Sequence, residues 1–397
     1  MLKLFNSKFL SGSIFFRIGM AIASIPSIFA QDSISESSWS LKGYVKNMQT
    51  AIFSNISDPW MTSNLLHNRI NLRWYPDASL TLGMEVRNRF LYGDFITLVP
   101  ETVNSFEDDE GFMQLSHNLA DGNSFVFNTA VDRLFIDYSL GNLQLTLGRQ
   151  RINWSETFVW NPNDIFNTYN YFDFDYEEKP GSDALRIQYY TSPSAKIELA
   201  GKLDHEKQVT AAALWRINRW NYDFKGMAGV MNSNDYVLGI GWSGQIARGG
   251  FRGECSYFHP VDHFSDTSGT FVASVGYDYA FENSLFLQTE ILYNGNSEQK
   301  IDSVLSLFSS FRLSAKNPFL DGFSAFAGLT YPFTPLFTGS VAVIGNPDKK
   351  LLILIPSLEY SLAQNLDFSL VAQHLPAIRN SGNSAISLVF LRLRYNF

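Results

Sequence analysis

The chain has 397 residues, of which 17% are charged and 15% aromatic, with 34 Phe and 18 Tyr. A formal charge of −8 excludes the basic balance of a general nucleic-acid binder, and the single Cys255 excludes an internal disulfide framework. Beyond residue 30 no run reaches the ~18 consecutive apolar residues of a spanning helix, which excludes a helical membrane protein.

Residues 1–30 place Lys3, Lys8 and Arg17 before and around an apolar run at 18–29 that ends in Ala30. Charge, apolar core and small residue together predict a secretory signal peptide, with residues 31–397 as one exported domain. A signal anchor is the alternative, but the run is shorter than the ~20 residues that crossing requires. Removing three of the 30 basic residues and none of the 38 acidic ones leaves the exported chain at 27 against 38.

From there apolar and polar residues alternate with period two in runs of about ten, separated by turn residues. In residues 39–48, Leu41, Gly43 and Val45 share one face, and Lys42, Tyr44 and Lys46 the other. In residues 65–75, Leu66, Ile70, Leu72 and Trp74 oppose His67, Arg69, Asn71 and Arg73. Such strands are apolar toward lipid and polar toward water, as in a transmembrane antiparallel β-barrel. Short links are expected at 75–79, 139–142, 191–195, 218–221, 247–250, 281–284, 317–322 and 362–365. Mostly longer ones fall between them, at 93–123, 153–183, 258–269, 294–302, 332–349 and 376–384. Short periplasmic turns and longer outer loops give an all-β barrel of about 18 strands, with 16 as the alternative, and both termini in the periplasm.

A barrel of roughly 16 to 18 strands is too wide for its own side chains to fill, so a water-filled lumen is expected unless a loop enters it. Its inward face would carry Lys42, Lys46, Arg69, Arg73, Glu85, Arg87, Arg89, Arg186, Arg392 and Arg394, mostly on strands that become neighbours on closure. Later strands mix Glu198, Lys202, Asp223, Lys225, Glu254, Asp278, Glu290 and Glu359. A basic wall predicts anion preference or orientation of zwitterions. The alternative is that these charges only keep the interior wet, screened over ~8 Å.

One stretch breaks the alternation. Leu143, Leu145 and Leu147 share a phase that would also send Arg149, Arg151 and Asn153 into lipid, where Arg costs roughly 2–4 kcal/mol at the midplane. A β-bulge at or beside Gly148 is therefore expected, turning Ile152 and Trp154 outward and Arg149, Arg151 and Asn153 into the pore. The Asn161-Pro162-Asn163-Asp164 run signals a turn. Its aromatic surroundings argue that residues 153–183 pack inside the barrel rather than remain disordered, with Asp164, Asp173, Asp175, Glu177 and Glu178 facing the basic wall. Arg149, Arg151, Asn153, Asp164, Glu177 and Glu178 are the constriction candidates.

The motifs GRQRINW, NPNDIFN and EEKPGSDALRIQYY, within residues 145–190, resemble the strand and inward loop of bacterial outer-membrane porins in the broad alginate-export and related porin-like group. That resemblance implies a core of Arg149, Gln150, Asn153, Asp164 and Glu178. The last run, residues 385–397, puts Val389, Leu391, Leu393, Tyr395 and Phe397 on one face, and resembles the C-terminal signal read by the barrel-assembly machinery. His259 and His263 lie in a Pro-containing loop that cannot align them on a helix, and Ser116-His117-Asn118 lacks a spatially assembled triad. No phosphate loop or zinc pattern occurs, so no cofactor is expected. The leading expectation is a non-enzymatic porin of the bacterial outer membrane, monomeric or oligomeric, surrounded by lipid and passing small polar or anionic solutes. The alternatives are a lipid-modifying barrel enzyme and a surface receptor or adhesion scaffold using residues 93–123.

Overall fold

The computed structural model describes residues 37–167, 171, 178, 180–262, 264–296, 313–376 and 385–397; the signal-peptide expectation at 1–30 lies outside them. The wall begins with β1 (Trp39–Phe53), β2 (Met61–Asp77) and β3 (Leu80–Tyr92). Helices α1 (Asp94–Leu98) and α2 (Glu101–Glu107) follow, then β4 (Ser116–Gly122), β5 (Phe125–Leu140) and β6 (Leu143–Gln150). Next come β7 (Ser182–Ser192), β8 (Ala195–Leu203), β9 (Val209–Arg219), β10 (Tyr222–Met231) and β11 (Asp235–Ile246). After these run β12 (Gly249–Pro260), β13 (Thr270–Ala280), β14 (Phe286–Asn294) and β15 (Gly322–Thr334). The wall is completed by β16 (Phe337–Asn346), β17 (Leu351–Ala363), β18 (Leu366–Leu375) and β19 (Ile386–Asn396).

Every ladder is antiparallel, consecutive strands pair except that β3 pairs with β5, and β19 returns to pair with β1 from Asn396–Tyr44 to Ser387–Phe53. Closure satisfies the backbone without an open edge, which is the condition for a sheet to cross lipid. Nineteen segments make eighteen wall positions. On one edge β5 pairs with β4 over residues 125–130 and with β6 over 134–140, so β4 stands above β6 at a single position.

Both ends of the wall lie with the tight turns, and the long connections lie at the other end. One expected boundary is corrected here. Residues 317–322 do not form a short turn, because β14 pairs directly with β15 from Asn294–Gly322 onward, leaving 295–321 as one long connection. The tight turn is instead between β15 and β16, inside the expected 332–349 loop. The two shifts compensate, and the strand number stands at eighteen.

Alternation places apolar side chains outward throughout. In β11, Tyr236, Leu238 and Ile240 are exposed while Asp235, Val237 and Gly239 are buried. Aromatic pairs mark both rims, with Trp39 stacked on Trp74 at 5.1 Å near the turns and Phe53 stacked on Trp60 at 4.8 Å near the loops. Amphipathic rings at two levels fit the two interfaces of a bilayer.

The expected bulge in β6 is absent. The ladders through Gly148 are unbroken on both sides, and the phase break is made by its φ of +113°. A Cβ there would lie 2.2 Å from the Leu134 carbonyl oxygen, so only glycine fits this approach. The nearby register shift belongs to β5, where Asp132 is the extra residue opposite Glu85 and Val86. Ile152 and Trp154 do not face lipid either. They are 0% and 2% exposed within the apolar cluster inside the barrel.

Candidate functional site

At Gln150 the chain leaves the wall and enters the lumen, and it rejoins at the paired residue Ser182. Gln150 itself is buried, its side-chain amide donating to the carbonyls of Thr146 and Ala184. The segment 151–167 then crosses toward β8–β14, where inward apolar residues receive it. Ile152, Trp154, Trp160, Ile165 and Phe166 pack with inward residues including Ala200, Leu214 and Met227. Trp154 meets Phe166 edge-on at 4.9 Å. The 161–164 turn closes with Asp164 N donating to Asn161 O at 3.1 Å.

Three wall carboxyl groups fix this segment, each on the inward phase of its strand and at most 1% exposed: Glu198 on β8, Glu254 on β12 and Glu290 on β14. Glu290 accepts from the backbone nitrogens of Phe158, Val159 and Trp160 at 2.9, 3.0 and 2.8 Å, and from Ser274 Oγ at 2.7 Å. Glu254 accepts from Thr157 Oγ1 and from Glu156 N. Glu198 accepts from Trp154 Nε1 at 2.7 Å and is ion-paired with Arg186 and Lys196. Hydrogen bonds to a charged group are worth about 1.5–3 kcal/mol each, so these anchors outweigh the weak local preference of an irregular segment. The expected polarity is therefore reversed over this half of the loop: acids on the wall hold donors on the loop. Contacts of the opposite sense include Lys225 of β10 paired with Glu156 at 2.5 Å and Lys202 of β8 donating to Phe166 O at 2.8 Å.

Basic groups gather on the other side. Arg394, Lys46, His67 and Arg89 are successive register partners across β19, β1, β2 and β3. In the next row Tyr44, Arg69 and Arg87 are partners in the same way. Cations facing one another across neighbouring strands repel, and the bulge in β5 supplies part of the compensation. It delivers Asp132 to Arg69 and, at 3.1 Å, to Arg87. Glu85 pairs with Arg69 and Arg73. From the returning end of the loop, Glu178 stands 3.8 Å from Arg69 and accepts from the Tyr44 hydroxyl at 3.1 Å. The Arg394 and Arg89 guanidinium groups each lie 4.1 Å from a ring centroid, Tyr44 and Phe106 respectively.

A second inward segment went unrecognised in the sequence. Between β3 and β4, Ile96 of α1 is 1% exposed and packs with inward Met48, Leu65, Leu91 and Val126. Residues 93–123, considered above as an outward scaffold, thus fold partly into the mouth over β1–β5. Arg149 sews this segment to the wall. It is 5% exposed, pairs with Asp109 at 2.7 Å and Asp183 at 2.8 Å, and donates to Met113 O at 2.6 Å.

The other candidates are placed as follows. Lys42 is exposed on the inward phase of β1, and Arg392 donates to Ser369 Oγ at 2.9 Å. Arg151 and Asn153 are exposed, while Asp164 is 1% exposed against the wall. Glu177, Asp173, Asp175 and His263 lie outside the described residues. The anchoring roles of Glu198, Glu254 and Glu290 were missed, although a lone carboxylate in the middle of a membrane strand was a usable signal.

No family model matches the chain, and no curated protein matches it. Among solved structures it is similar to Pseudomonas aeruginosa OccK11 (OpdR), at 9% identity over 90% of this chain and 96% of that one, with a TM-score of 0.56. It is also similar to Pseudomonas aeruginosa OprD, at 10% identity over 93% and 97% with a TM-score of 0.54. Acinetobacter baumannii OccAB4 matches at 10% identity over 92% and 100%, with a TM-score of 0.54. The likeness is one of fold, a closed eighteen-strand antiparallel β-barrel.

Proposed function

We propose that the chain is a bacterial outer-membrane channel for small polar or anionic solutes, narrowed by the loop between β6 and β7. The carrying observation is the row Arg394–Lys46–His67–Arg89 on the inward phase of four neighbouring strands, its Lys46 and His67 buried and its two arginines half-buried, while the loop is anchored to the opposite wall. A transverse arrangement of charge beside a constriction biases which ions pass. The OprD- and Occ-type neighbours, which are outer-membrane channels, support the same reading. Export by a 1–30 signal, insertion through the last strand and a monomeric or oligomeric state belong to this proposal. Narrower kinship with alginate exporters rests on the 145–190 motifs alone.

The alternatives gain less support. Ser116 is buried and donates to Phe106 O, while His117 points to Glu107 at 3.7 Å from the opposite face of β4, so the pair forms no nucleophilic relay. The inward fold of Ile96 removes part of the surface that a receptor scaffold would present. Planar-bilayer recording of the refolded protein tests the channel. Discrete current steps with a reversal potential favouring anions are expected; absence of steps refutes the channel, and cation preference refutes the basic wall.

A further inference from the structure

The outward face of the wall is not uniform. Across β7–β11 one outward row runs through Ile187, Leu199, Ala213, Ala228 and Leu238, with no polar side chain in it. Across β1, β2, β3 and β5 the outward phase instead carries Asn47, Gln49, Asn64, Asn68, Asn88 and Thr129. These residues are not scattered. Asn68, Asn88 and Thr129 are register partners on one row, Asn47 lies on the next row toward the loops, and Gln49 opposite Asn64 on the row after that. On β1 and β2 they fall between the Trp39–Trp74 and Phe53–Trp60 pairs that mark the two rims. At that depth lipid supplies no hydrogen-bond partner.

Part of the demand is met within the wall. Thr129 Oγ1 donates to Asn88 Oδ1 at 2.6 Å, Asn88 Nδ2 to Asn68 Oδ1 at 3.2 Å, and Asn68 Nδ2 to Tyr44 O at 3.2 Å. Gln49 Nε2 donates to Asn47 Oδ1 at 2.9 Å. A side-chain amide has two N–H groups and two lone pairs, so Asn68 and Asn88 each keep one of both for a partner outside. The Asn64 side chain makes no hydrogen bond among the described residues. Just loopward, Phe90 gathers Tyr92, Phe125 and Phe127 at 5.4, 6.0 and 6.3 Å, and aromatic rings are enriched where proteins meet. Behind the same strands, Ile96 packs on Leu65, Leu91 and Val126, so this part of the wall is filled from within.

We infer that a second copy of the chain covers this face, lying beside the first in the membrane with the same strands at the contact. The three rows hold no charged side chain, which leaves nothing for a lipid phosphate or a charged partner to pair with. Amides donate and accept at once, so the surface is complementary to itself. Copies inserted in one orientation bring it together around an axis along the membrane normal, a closed arrangement. The inference rests on the membrane placement in the channel reading and assigns more than one copy where that reading leaves the number open.

The test is photobleaching-step counting of the dye-labelled full chain in lipid vesicles over a range of protein-to-lipid ratios. Native barrels are expected to associate. Asn68→Leu with Asn88→Leu should weaken association about tenfold, the factor that two side-chain hydrogen bonds carry inside a membrane, with heat-shifted gel mobility showing an intact barrel. Gln49→Leu, at an exposed site, should weaken it less and serves if the double variant fails to fold. Leu199→Ala with Leu238→Ala, on the apolar row, should leave association unchanged. Single copies of the native chain at every ratio overturn the inference, as does association that the leucine variants leave intact. Association without current steps supports it and overturns the channel alone.

Discussion

Replacing Glu290 by Gln keeps the side chain's size and removes one of its two acceptor oxygens. In the better orientation the retained oxygen faces Phe158 N and Val159 N, which share one carboxyl oxygen. The new amide then faces Trp160 N and Ser274 Oγ. The serine can turn to accept, but the Trp160 nitrogen, 2.8 Å away, is left against another donor. A buried unsatisfied donor costs about 1–3 kcal/mol, which shifts the docked loop toward an undocked state by about 5- to 150-fold. The wall ladders on β13 and β14 are untouched by the change. Single-channel recording should therefore show more frequent transitions and a larger mean conductance, while gel mobility before and after heating shows an intact barrel. Current traces indistinguishable from the native ones would refute anchoring by Glu290, and loss of the folded barrel would show that the carboxyl supports the wall instead.

Arg149→Ala leaves Asp109 and Asp183 buried without their guanidinium, a loss of about 3–5 kcal/mol readable by urea denaturation in lipid vesicles. Its reversal potential should stay near the native value, because the guanidinium is enclosed by two carboxyl groups. Lys42→Gln should move the reversal potential toward cation permeation, since Lys42 is exposed on the inward phase of β1. Gly148→Ala places a Cβ 2.2 Å from Leu134 O at positive φ, and the refolded yield into vesicles should fall sharply. Ile240→Arg puts a charge on the lipid face of β11 and should cost roughly 2–4 kcal/mol in refolding equilibria.

Period-two patterning was enough for the barrel, its closure and its inward basic residues, because two solvents impose opposite demands on alternate side chains. It failed where one of those solvents is replaced by protein. Ile152 and Trp154 read as lipid-facing, yet the lumen offers them Ala200, Leu214 and Met227. The same ambiguity hid the mouth segment, whose Ile96 had no sequence neighbour to reveal its partners on β1, β2, β3 and β5. Strand β16 was overlooked for a different reason. Its sequence FTGSVAVIGN has small inward residues and little polar contrast, so the alternation is faint even though it pairs along its full length. A single glycine torsion at Gly148 did what the sequence reading assigned to an inserted residue, and local pattern does not separate the two.

Gln150 and Ser182 are opposite one another on the same rung, so the loop leaves and re-enters the wall at adjacent points. Its length is invisible to the ladder below. The barrel can consequently exchange this segment as a cassette, with the wall acting as a fixed socket whose three glutamates accept only a chain offering donors at the right places. Lengthening a loop with fixed ends costs little, about 0.6 kcal/mol per doubling. A new insert and a matching socket can then be written together without altering how the cylinder is assembled.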